Sequence, residues 1–201
     1  CIEIINPDKI IFVLGYMHQD IIAAINETKF KKKIDIVFNY NYRNSGCFDS
    51  LMKCQYIHSG RVAYFNSDLL FYPKLLSDTV KINNENLIFT RQLKKIGVGE
   101  TILQKAIVKN KIITKMDLTL EGKFTHEVIG PVIMSSDVFE DLRRLYMSNN
   151  KNTIRDNRCY SAIGKLLGDH KFLSIEIKDK FWYEINTVHD LNNAKKNMEW
   201  S

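Results

Sequence analysis

Residues 9–15 read KIIFVLG, a run of apolar and mostly β-branched side chains that stops at a glycine. A run of this length without polar alternation is typical of a strand buried on both faces, as in a parallel sheet. Residues 17–28 place isoleucines at helical spacing, and residues 34–38 (IDIVF) form a second strand-like run. The order strand, helix, strand predicts a βαβ unit and therefore an α/β fold.

The rest of the chain continues this alternation and adds antiparallel strands. Asp49 or Ser50 is predicted to cap a helix that runs to about His58. Asn110 is predicted to turn an antiparallel pair of strands. The other predicted elements are strands at 61–66, 86–91, 101–109, 111–116 and 127–134, helices at about 136–147 and 157–168, strands at 172–177 and 182–185, and a helix from near Thr187.

The composition bounds the class of protein. Hydrophobic residues make up 45% of the 201 and charged residues 26%, which suits one soluble globular domain. The net charge of +6 comes from Lys and Arg spread along the chain, so it favours phosphate ligands over a nucleic-acid partner. No apolar run approaches the ~18 residues of a membrane span. Four cysteines without zinc or disulfide spacing indicate a reduced, cytoplasmic protein.

Asp68 is the first candidate for chemistry, in the string YFNSDLLF at 64–71. It occupies a short polar step after the third predicted strand, and ligands of open α/β sheets bind beyond the carboxyl ends of strands. A carboxylate at this place suits a metal ion. A cap for the turn into the next helix explains the same residue equally well.

Glu184 and Asn186 are the second candidates, where the strand-like FWYEI (181–185) gives way to a helix. Side chains alternate along an extended segment, so these two fall on one face and their oxygens could enter one cleft. Mg²⁺ takes few such oxygens, with water and substrate phosphates completing its shell. Taken alone, the pair is better explained as a surface glutamate and a helix cap.

The loop at 39–51 (NYNYRNSGCFDSL) is the third candidate. Its amide, hydroxyl and aromatic groups around Gly46 can supply the few hydrogen bonds and the ring packing that a nucleobase or ribose needs. An ordinary surface connection explains the loop nearly as well. The five histidines have no metal-ligand spacing, so none is a candidate ligand.

Five segments, in order, resemble successive blocks of the sugar-phosphate and choline-phosphate nucleotidyltransferases, with the greatest similarity to small cytidylyltransferases. The resemblance implies a three-layer α/β/α fold of the nucleotide-diphospho-sugar transferase type, with a mixed, mostly parallel central sheet. The segments are IIFVLGYMHQDI (10–21), IVFNYNYRNSGCFDSL (36–51), AYFNSDLLF (63–71), EVIGPVIMSS (127–136) and FWYEINTVHDLNNA (181–194).

The resemblance also implies roles for individual residues. Asp68 corresponds to the aspartate that binds the catalytic Mg²⁺, and Asn186 to the second metal ligand, which is usually Asp. The loop positions near the nucleotide correspond to Asn39, Tyr42 and Ser50. Glu127, by a looser match, and Glu184 correspond to positions on the acceptor-substrate side of the family's active site.

The chain departs from this family in three ways. Members of the family open with a strand and a G-x-G-x-R loop followed by P-K. This combination does not occur in the sequence, which starts at Cys1 without Met. We therefore expect residues 1–201 to be a single nucleotidyltransferase domain that lacks its N-terminal strand and phosphate-binding loop. Asn186 in place of Asp, and Asp117 near a common lysine position, indicate a changed substrate or a decayed site.

The resemblance implies Mg²⁺-dependent transfer of a nucleoside monophosphate from a triphosphate, CTP favoured, to a small phosphorylated or phosphonate acceptor. A sugar-1-phosphate nucleotidyltransferase is the near alternative. A catalytically silent nucleotide-binding domain is the alternative from another class, favoured by Asn186. A glycosyltransferase is disfavoured because Asp68-Leu69-Leu70 lacks the second acid of a D-x-D pair.

Overall fold

The computed structural model describes residues 5–28, 33–54, 57, 59–80, 82, 85–93, 104–117, 124–148, 158–177 and 182–197. All predicted site residues lie within these ranges. His58, the predicted end of a helix, and residues 101–103 of a predicted strand lie outside the described residues.

The described residues form ten strands and six α-helices. The longest of these helices has 13 residues, and none of the described helices is long and apolar enough to cross a membrane. In chain order the elements are β1 Lys9–Leu14, α1 His18–Glu27, β2 Lys33–Phe38, α2 Cys47–Met52, β3 Arg61–Tyr64, β4 Leu69–Phe71, α3 Pro73–Val80, β5 Asn86–Gln92, β6 Lys105–Lys109, β7 Ile112–Asp117, β8 His126–Ser135, α4 Ser136–Ser148, α5 Cys159–Gly164, β9 Phe172–Glu176, β10 Trp182–Glu184 and α6 Val188–Asn197.

Helix α2 differs from its prediction at both ends. It is capped at Gly46, whose N–H donates to the Asp49 carboxylate at 2.9 Å, so Asp49 lies inside the first turn rather than at the cap. The helix ends at Met52, where the Lys53 N–H turns back to the Ser50 carbonyl. The Asp49 carboxylate, which accepts from the Gly46 N–H, therefore marks where the helix starts.

The sheets are mixed. β1 and β2 pair in parallel, β4 and β10 pair antiparallel, and the other strands form a six-stranded sheet in the order β3-β8-β5-β9-β7-β6. Of the pairings in the described ranges, only β1–β2 and β5–β9 are parallel. The predicted α/β fold with a mixed sheet is confirmed, but the predicted preponderance of parallel pairing is not. The reason is β8, which runs antiparallel to β3, β5 and β6.

The six-stranded sheet separates two hydrophobic clusters. Along β8, Val128 and Val132 belong to the larger cluster, whereas the alternate residues Ile129 and Ile133 belong to the smaller one. This alternation follows from the two-residue period of a strand. Helices α2, α4 and α5 contribute buried residues to the larger cluster, and α3 contributes Leu76 to the smaller one. The three-layer arrangement of the whole chain remains a prediction.

Gly164, the last residue of α5, is expected to be intolerant of a side chain. A Cβ at this position would lie 2.3 Å from the backbone oxygen of Met116, which is fixed in β7. Alanine gains about 1 kcal/mol of helix propensity, but the clash outweighs this gain. We expect Gly164→Ala to lower the free energy of unfolding by about 2 kcal/mol in urea titrations.

Gly168→Ala is the matched control for this substitution. No atom lies within 4 Å of a Cβ built at Gly168, so its effect is expected to stay within about 0.5 kcal/mol. Equal stabilities for the two variants would contradict the packing of α5 against β7.

Candidate active site

A short antiparallel ladder brings the metal candidates together. Glu184 in β10 lies opposite Leu69 in β4, and the Ile185 N–H donates to the carbonyl oxygen of Asp68 at 2.8 Å. Asp68 therefore lies directly beside the 184–186 segment, although 116 positions separate Asp68 from Glu184 in the sequence. The sequence did not predict strand β4, because a three-residue strand has too few positions for alternation to be recognised.

Carboxylates are concentrated at this ladder. Burial raises the pKa of Glu184 above its ordinary value, and the negative charges of Asp68, Glu127 and Asp190 raise it further. A side-chain hydrogen bond from Asn186 acts in the opposite direction. Negative charge from Asp68, Glu127 and Asp190 therefore acts at Glu184, which favours a proton or a cation there.

Asp68 carries a buried polar atom whose hydrogen-bonding capacity is unused among the described residues. Its Oδ1 is buried and has no hydrogen-bond partner among the described residues. Buried carboxylate oxygens are normally satisfied, so an unsatisfied one is a candidate ligand contact. Within the described ranges, no group of three or more His, Cys, Asp and Glu could hold a metal ion. Asp68 and Asn186 are fewer than such a group, and their role as Mg²⁺ ligands stays a prediction.

Asn186 is exposed and does not cap the last helix. Thr187 performs this role, since its Oγ1 accepts from the Asp190 N–H at 3.2 Å while the Asp190 carboxylate accepts from the Thr187 N–H at 2.8 Å. The predicted helix start near Thr187 is confirmed. The simpler explanation of Asn186 as a helix cap is therefore wrong, and its side chain instead contacts Glu184.

Glu127 is buried at the end of β8 nearest to this cluster, with 8% exposure. The Arg91 guanidinium on the adjacent strand β5 binds its carboxylate at 2.5 Å and also lies over the Trp182 ring, 5.7 Å from the centroid. Arg91 therefore places Glu127 near Trp182, where β10 begins, and neutralises its charge. The sequence did not predict Arg91, because only the β5–β8 register aligns it with Glu127.

A tyrosine and asparagine network borders the same site. The Tyr64 hydroxyl donates to Asn66 Oδ1 at 2.5 Å, and Tyr160 donates to the Gly130 carbonyl at 2.9 Å. The pKa of Tyr160 is raised, chiefly by burial. The nearby Cys159 and Cys47 raise it further, as do the charges of Asp68 and Glu184. Tyr160 therefore remains a hydrogen-bond donor close to the carboxylates.

The nucleotide candidates form a second group at the carboxyl ends of β1 and β2. Asn39 is 2% exposed, and its Nδ2 donates to the hydroxyls of Ser45 at 2.8 Å and Ser50 at 2.9 Å. Its own N–H donates to the Leu14 carbonyl at 2.7 Å. Asn39 and Ser50 thus organise the 39–51 loop through their side chains, and Asn39 Oδ1 has no hydrogen-bond partner among the described residues.

Tyr42 lies at a cleft of about 320 Å³ with aromatic walls. A Cβ on Gly15 would lie 2.7 Å from the Cβ of Tyr42, so only glycine permits this close approach. The predicted loop contained Tyr40, which is 80% exposed and stacks on Phe38 at 5.4 Å. The remaining lining residues were not predicted as site residues: Leu14, Gly15, Met17, His18, Gln19 and Asp20.

The raised pKa of Glu184 leads to a pH-dependent prediction. Because its folded-state pKa exceeds 4.5, the ionised carboxylate costs stability at neutral pH, and proton uptake removes this cost as the pH falls. We expect Glu184→Gln to raise the thermal midpoint by a few degrees at neutral pH. The gain should disappear as the pH falls toward 4.5.

The same substitution in a second variant tests why the pKa of Glu184 is raised. In an Asp68→Asn variant the gain from Glu184→Gln should shrink, because the Asp68 charge is one reason for the raised pKa. A gain that is equal at all pH values would instead indicate a change in packing.

Comparison with known proteins gives matches at the level of structure. No family model and no curated protein match the sequence. The inositol-1-phosphate CTP transferase from T. maritima superposes with a TM-score of 0.70 at 15% identity, over 94% of this chain and 74% of that one. CTP:phosphocholine cytidylyltransferase from Streptococcus pneumoniae gives 0.75 at 14% identity, over 97% and 80%. A UDP-glucose pyrophosphorylase complexed with UDP-glucose gives 0.75 at 10% identity, over 96% and 81%.

These neighbours confirm the predicted resemblance to the sugar-phosphate and choline-phosphate nucleotidyltransferases. At identities of 10–15% the likeness establishes the fold, which is that of the nucleotide-diphospho-sugar transferases. The roles of individual residues therefore depend on the geometry of this chain.

Proposed function

We propose that this chain is a Mg²⁺-dependent nucleotidyltransferase domain. It would transfer a nucleoside monophosphate, with CTP the favoured donor, to a small phosphorylated or phosphonate acceptor and release pyrophosphate. The observation that carries this proposal is the buried, unsatisfied carboxylate oxygen of Asp68, held beside Glu184 and Asn186 by the β4–β10 ladder.

Asp68 and Asn186 are the residues that would hold Mg²⁺. The ion would supply charge neutralisation for the phosphate groups. This ligand set fits Mg²⁺, because both residues offer hard oxygen ligands and the surrounding carboxylates give the site a negative electrostatic potential. A triphosphate could complete the shell with its own oxygens.

The proposed reaction needs little proton transfer from the protein. An acceptor phosphate or phosphonate oxygen, already ionised at neutral pH, attacks the α-phosphorus while the bond to the leaving pyrophosphate oxygen breaks. Both reactants are anions, so the barrier is lowered by positioning and by charge neutralisation rather than by a general base. This chemistry accounts for a site built from oxygen ligands and without a catalytic histidine.

The acidic side chains favour one kind of acceptor. Glu184 lies beside the proposed metal ligands, and its carboxylate attracts a cationic group that is attached to the phosphate or phosphonate, whereas Glu127 is already paired with Arg91. Phosphocholine and aminoethylphosphonate carry such a group, whereas a sugar 1-phosphate does not. The acidic cluster therefore favours the first two acceptors over the sugar-phosphate alternative.

The aromatic cleft is the proposed place for the nucleotide. The rings of Tyr40 and Tyr42 and the backbone at Gly15 can pack against a base and contact its polar edge. Asn39 and Ser50 would act by holding the loop in position.

A panel of the four nucleoside triphosphates against phosphocholine, aminoethylphosphonate and glucose 1-phosphate tests the proposal. The readout is pyrophosphate release with and without Mg²⁺, together with triphosphate binding by calorimetry. We expect release with CTP and a cationic acceptor only when Mg²⁺ is present. Binding without release for every pair would favour the silent nucleotide-binding domain, for which Asn186 is the supporting feature. Absence of both binding and release would refute both functions.

Asn186→Asp is expected to tighten Mg²⁺ binding about tenfold, because a carboxylate replaces a neutral amide among the proposed ligands. The measurement is the Mg²⁺ dependence of the thermal midpoint, which requires no turnover. Asn192→Asp is the matched control, since it adds the same charge at an exposed position of α6. An equal response in the two variants would remove Asn186 from the proposed ligand set.

A further inference from the structure

Cys47 and Cys159, which are 112 positions apart in the sequence, are in contact in the structure. Cys47 begins α2 and Cys159 begins α5. The Cys159 N–H donates to the Cys47 sulfur at 3.3 Å, and the two side chains also share a hydrogen bond. Cys47 is exposed to solvent, whereas Cys159 is completely buried. Cys47 is therefore the residue of the pair that a dissolved reagent can approach, whereas Cys159 is enclosed by the protein.

The surroundings give the two sulfurs different chemistry. The pKa of Cys47 is lowered to about 6, chiefly by a hydrogen bond from the Cys159 side chain. Desolvation opposes this shift, and hydrogen bonds from the Cys159 N–H and from Tyr64 reinforce it. Burial and the nearby Cys47 raise the pKa of Cys159 well above its usual value. Cys47 is thus the more readily ionised and more nucleophilic of the two thiols.

We propose that Cys47 and Cys159 form a peroxide-reactive dithiol, in which Cys47 is oxidised first and Cys159 then closes an intramolecular disulfide. The inference stands on the 3.3 Å contact of the Cys159 N–H with the Cys47 sulfur and on the exposure of only one of the two residues. It goes beyond nucleotidyl transfer and does not depend on it.

Each step balances with hydrogen peroxide as the oxidant. The Cys47 thiolate attacks one peroxide oxygen, the O–O bond breaks, and hydroxide leaves, which produces a sulfenic acid on Cys47. The Cys159 sulfur then attacks the Cys47 sulfur, and the sulfenic oxygen leaves as water with the proton from Cys159. The two sulfurs together lose two electrons, and the peroxide is reduced to water.

The disulfide would join two segments that border the candidate site. Helix α2 carries Ser50, which the Asn39 side chain contacts at 2.9 Å in the nucleotide loop. Helix α5 carries Tyr160, whose hydroxyl donates to the Gly130 carbonyl at 2.9 Å beside the carboxylates. Oxidation would therefore fix the nucleotide loop to the carboxylate side of the site.

The test uses the chain with Cys1→Ser, which leaves Cys47, Cys54 and Cys159. After treatment with hydrogen peroxide, the remaining thiols are counted with a maleimide under denaturing conditions, and a non-reducing digest is analysed by mass spectrometry. We expect two thiols to disappear together, one peptide pair to join Cys47 to Cys159, and dithiothreitol to restore both thiols. Cys54 is an internal control, because burial raises its pKa to about 11.

Two variants separate the steps. Cys47→Ser changes an exposed position and is expected to slow peroxide-dependent thiol loss at least about tenfold. Cys159→Ser, whose hydroxyl can still donate to the Cys47 sulfur but cannot form a disulfide, is expected to leave Cys47 as a sulfenic acid that dimedone traps. Oxidation of Cys54 as fast as Cys47, a disulfide formed only between two molecules, or two thiols that stay alkylatable after peroxide would overturn the proposal. None of these readouts involves nucleotidyl transfer, so the proposed function can fail without affecting them.

Discussion

Replacing Asp68 with Asn is expected to lower the rate of pyrophosphate release by at least about 100-fold. The substitution keeps the size of the side chain. It removes the negative charge that Asp68, through its buried oxygen, would contribute to the proposed Mg²⁺ site. The thermal midpoint in the absence of Mg²⁺ should stay the same or rise slightly, because the charge of Asp68 acts against ionised Glu184. Release is measured with saturating CTP and acceptor, and the midpoint by calorimetry.

Asp169→Asn is the control for this experiment. Asp169 is exposed in the turn after α5, so the same change of charge there should leave both release and stability unaffected. Calorimetric titration with Mg²⁺ gives a readout that does not depend on turnover, and Asp68→Asn should lose the binding signal. Undiminished turnover together with undiminished binding would assign Asp68 to the turn alone.

Arg91→Met is expected to have the largest effect on stability. The substitution removes the cation that is paired with the Glu127 carboxylate, whose side chain is 11% exposed. The uncompensated negative charge then lies in the same acidic region as Asp68 and Glu184. Removing one partner of a buried ion pair commonly costs 3–5 kcal/mol. Because Arg91 is 26% exposed, we expect a loss near the lower limit, about 3 kcal/mol, in urea titrations at neutral pH.

A double variant separates the charge from the packing. Arg91→Met with Glu127→Gln removes the uncompensated carboxylate and should recover at least half of the lost stability. Arg144→Met is the matched surface control, since Arg144 is 74% exposed in its pair with Asp141, and its cost should stay below about 1 kcal/mol. A double variant no more stable than Arg91→Met would show that the cation–π contact with Trp182 dominates.

Sequence reasoning predicted the long elements well because their signals are local. β1 matches its predicted range of Lys9–Leu14, and the turn at Asn110 forms with positive φ at Asn110 and Lys111, as a tight hairpin requires. The Thr187 and Asp190 signals also start the last helix where expected. Each of these features is decided by residues within a few positions of one another.

The candidate site was predicted only in part. Asp68, Glu184 and Asn186 were predicted as one site, and the structure brings them together. Arg91, the aromatic cleft around Gly15 and the contact between Cys47 and Cys159 were not predicted. These features depend on register and on close approach between distant segments, which leave no periodic signal in the sequence.

The sequence by itself determined the alternation of strands and helices, the polar steps at strand ends and the types of side chain available there. Hydrophobic periodicity and capping groups act between neighbours in the chain, so they can be read before folding. Only the tertiary structure decided that β8 runs antiparallel between β3 and β5, that β4 pairs with β10, and that an oxygen of Asp68 is buried without a partner. Pairing across long separations is selected by the packing of the whole core and by the burial of charge, and both exist only once the chain has folded.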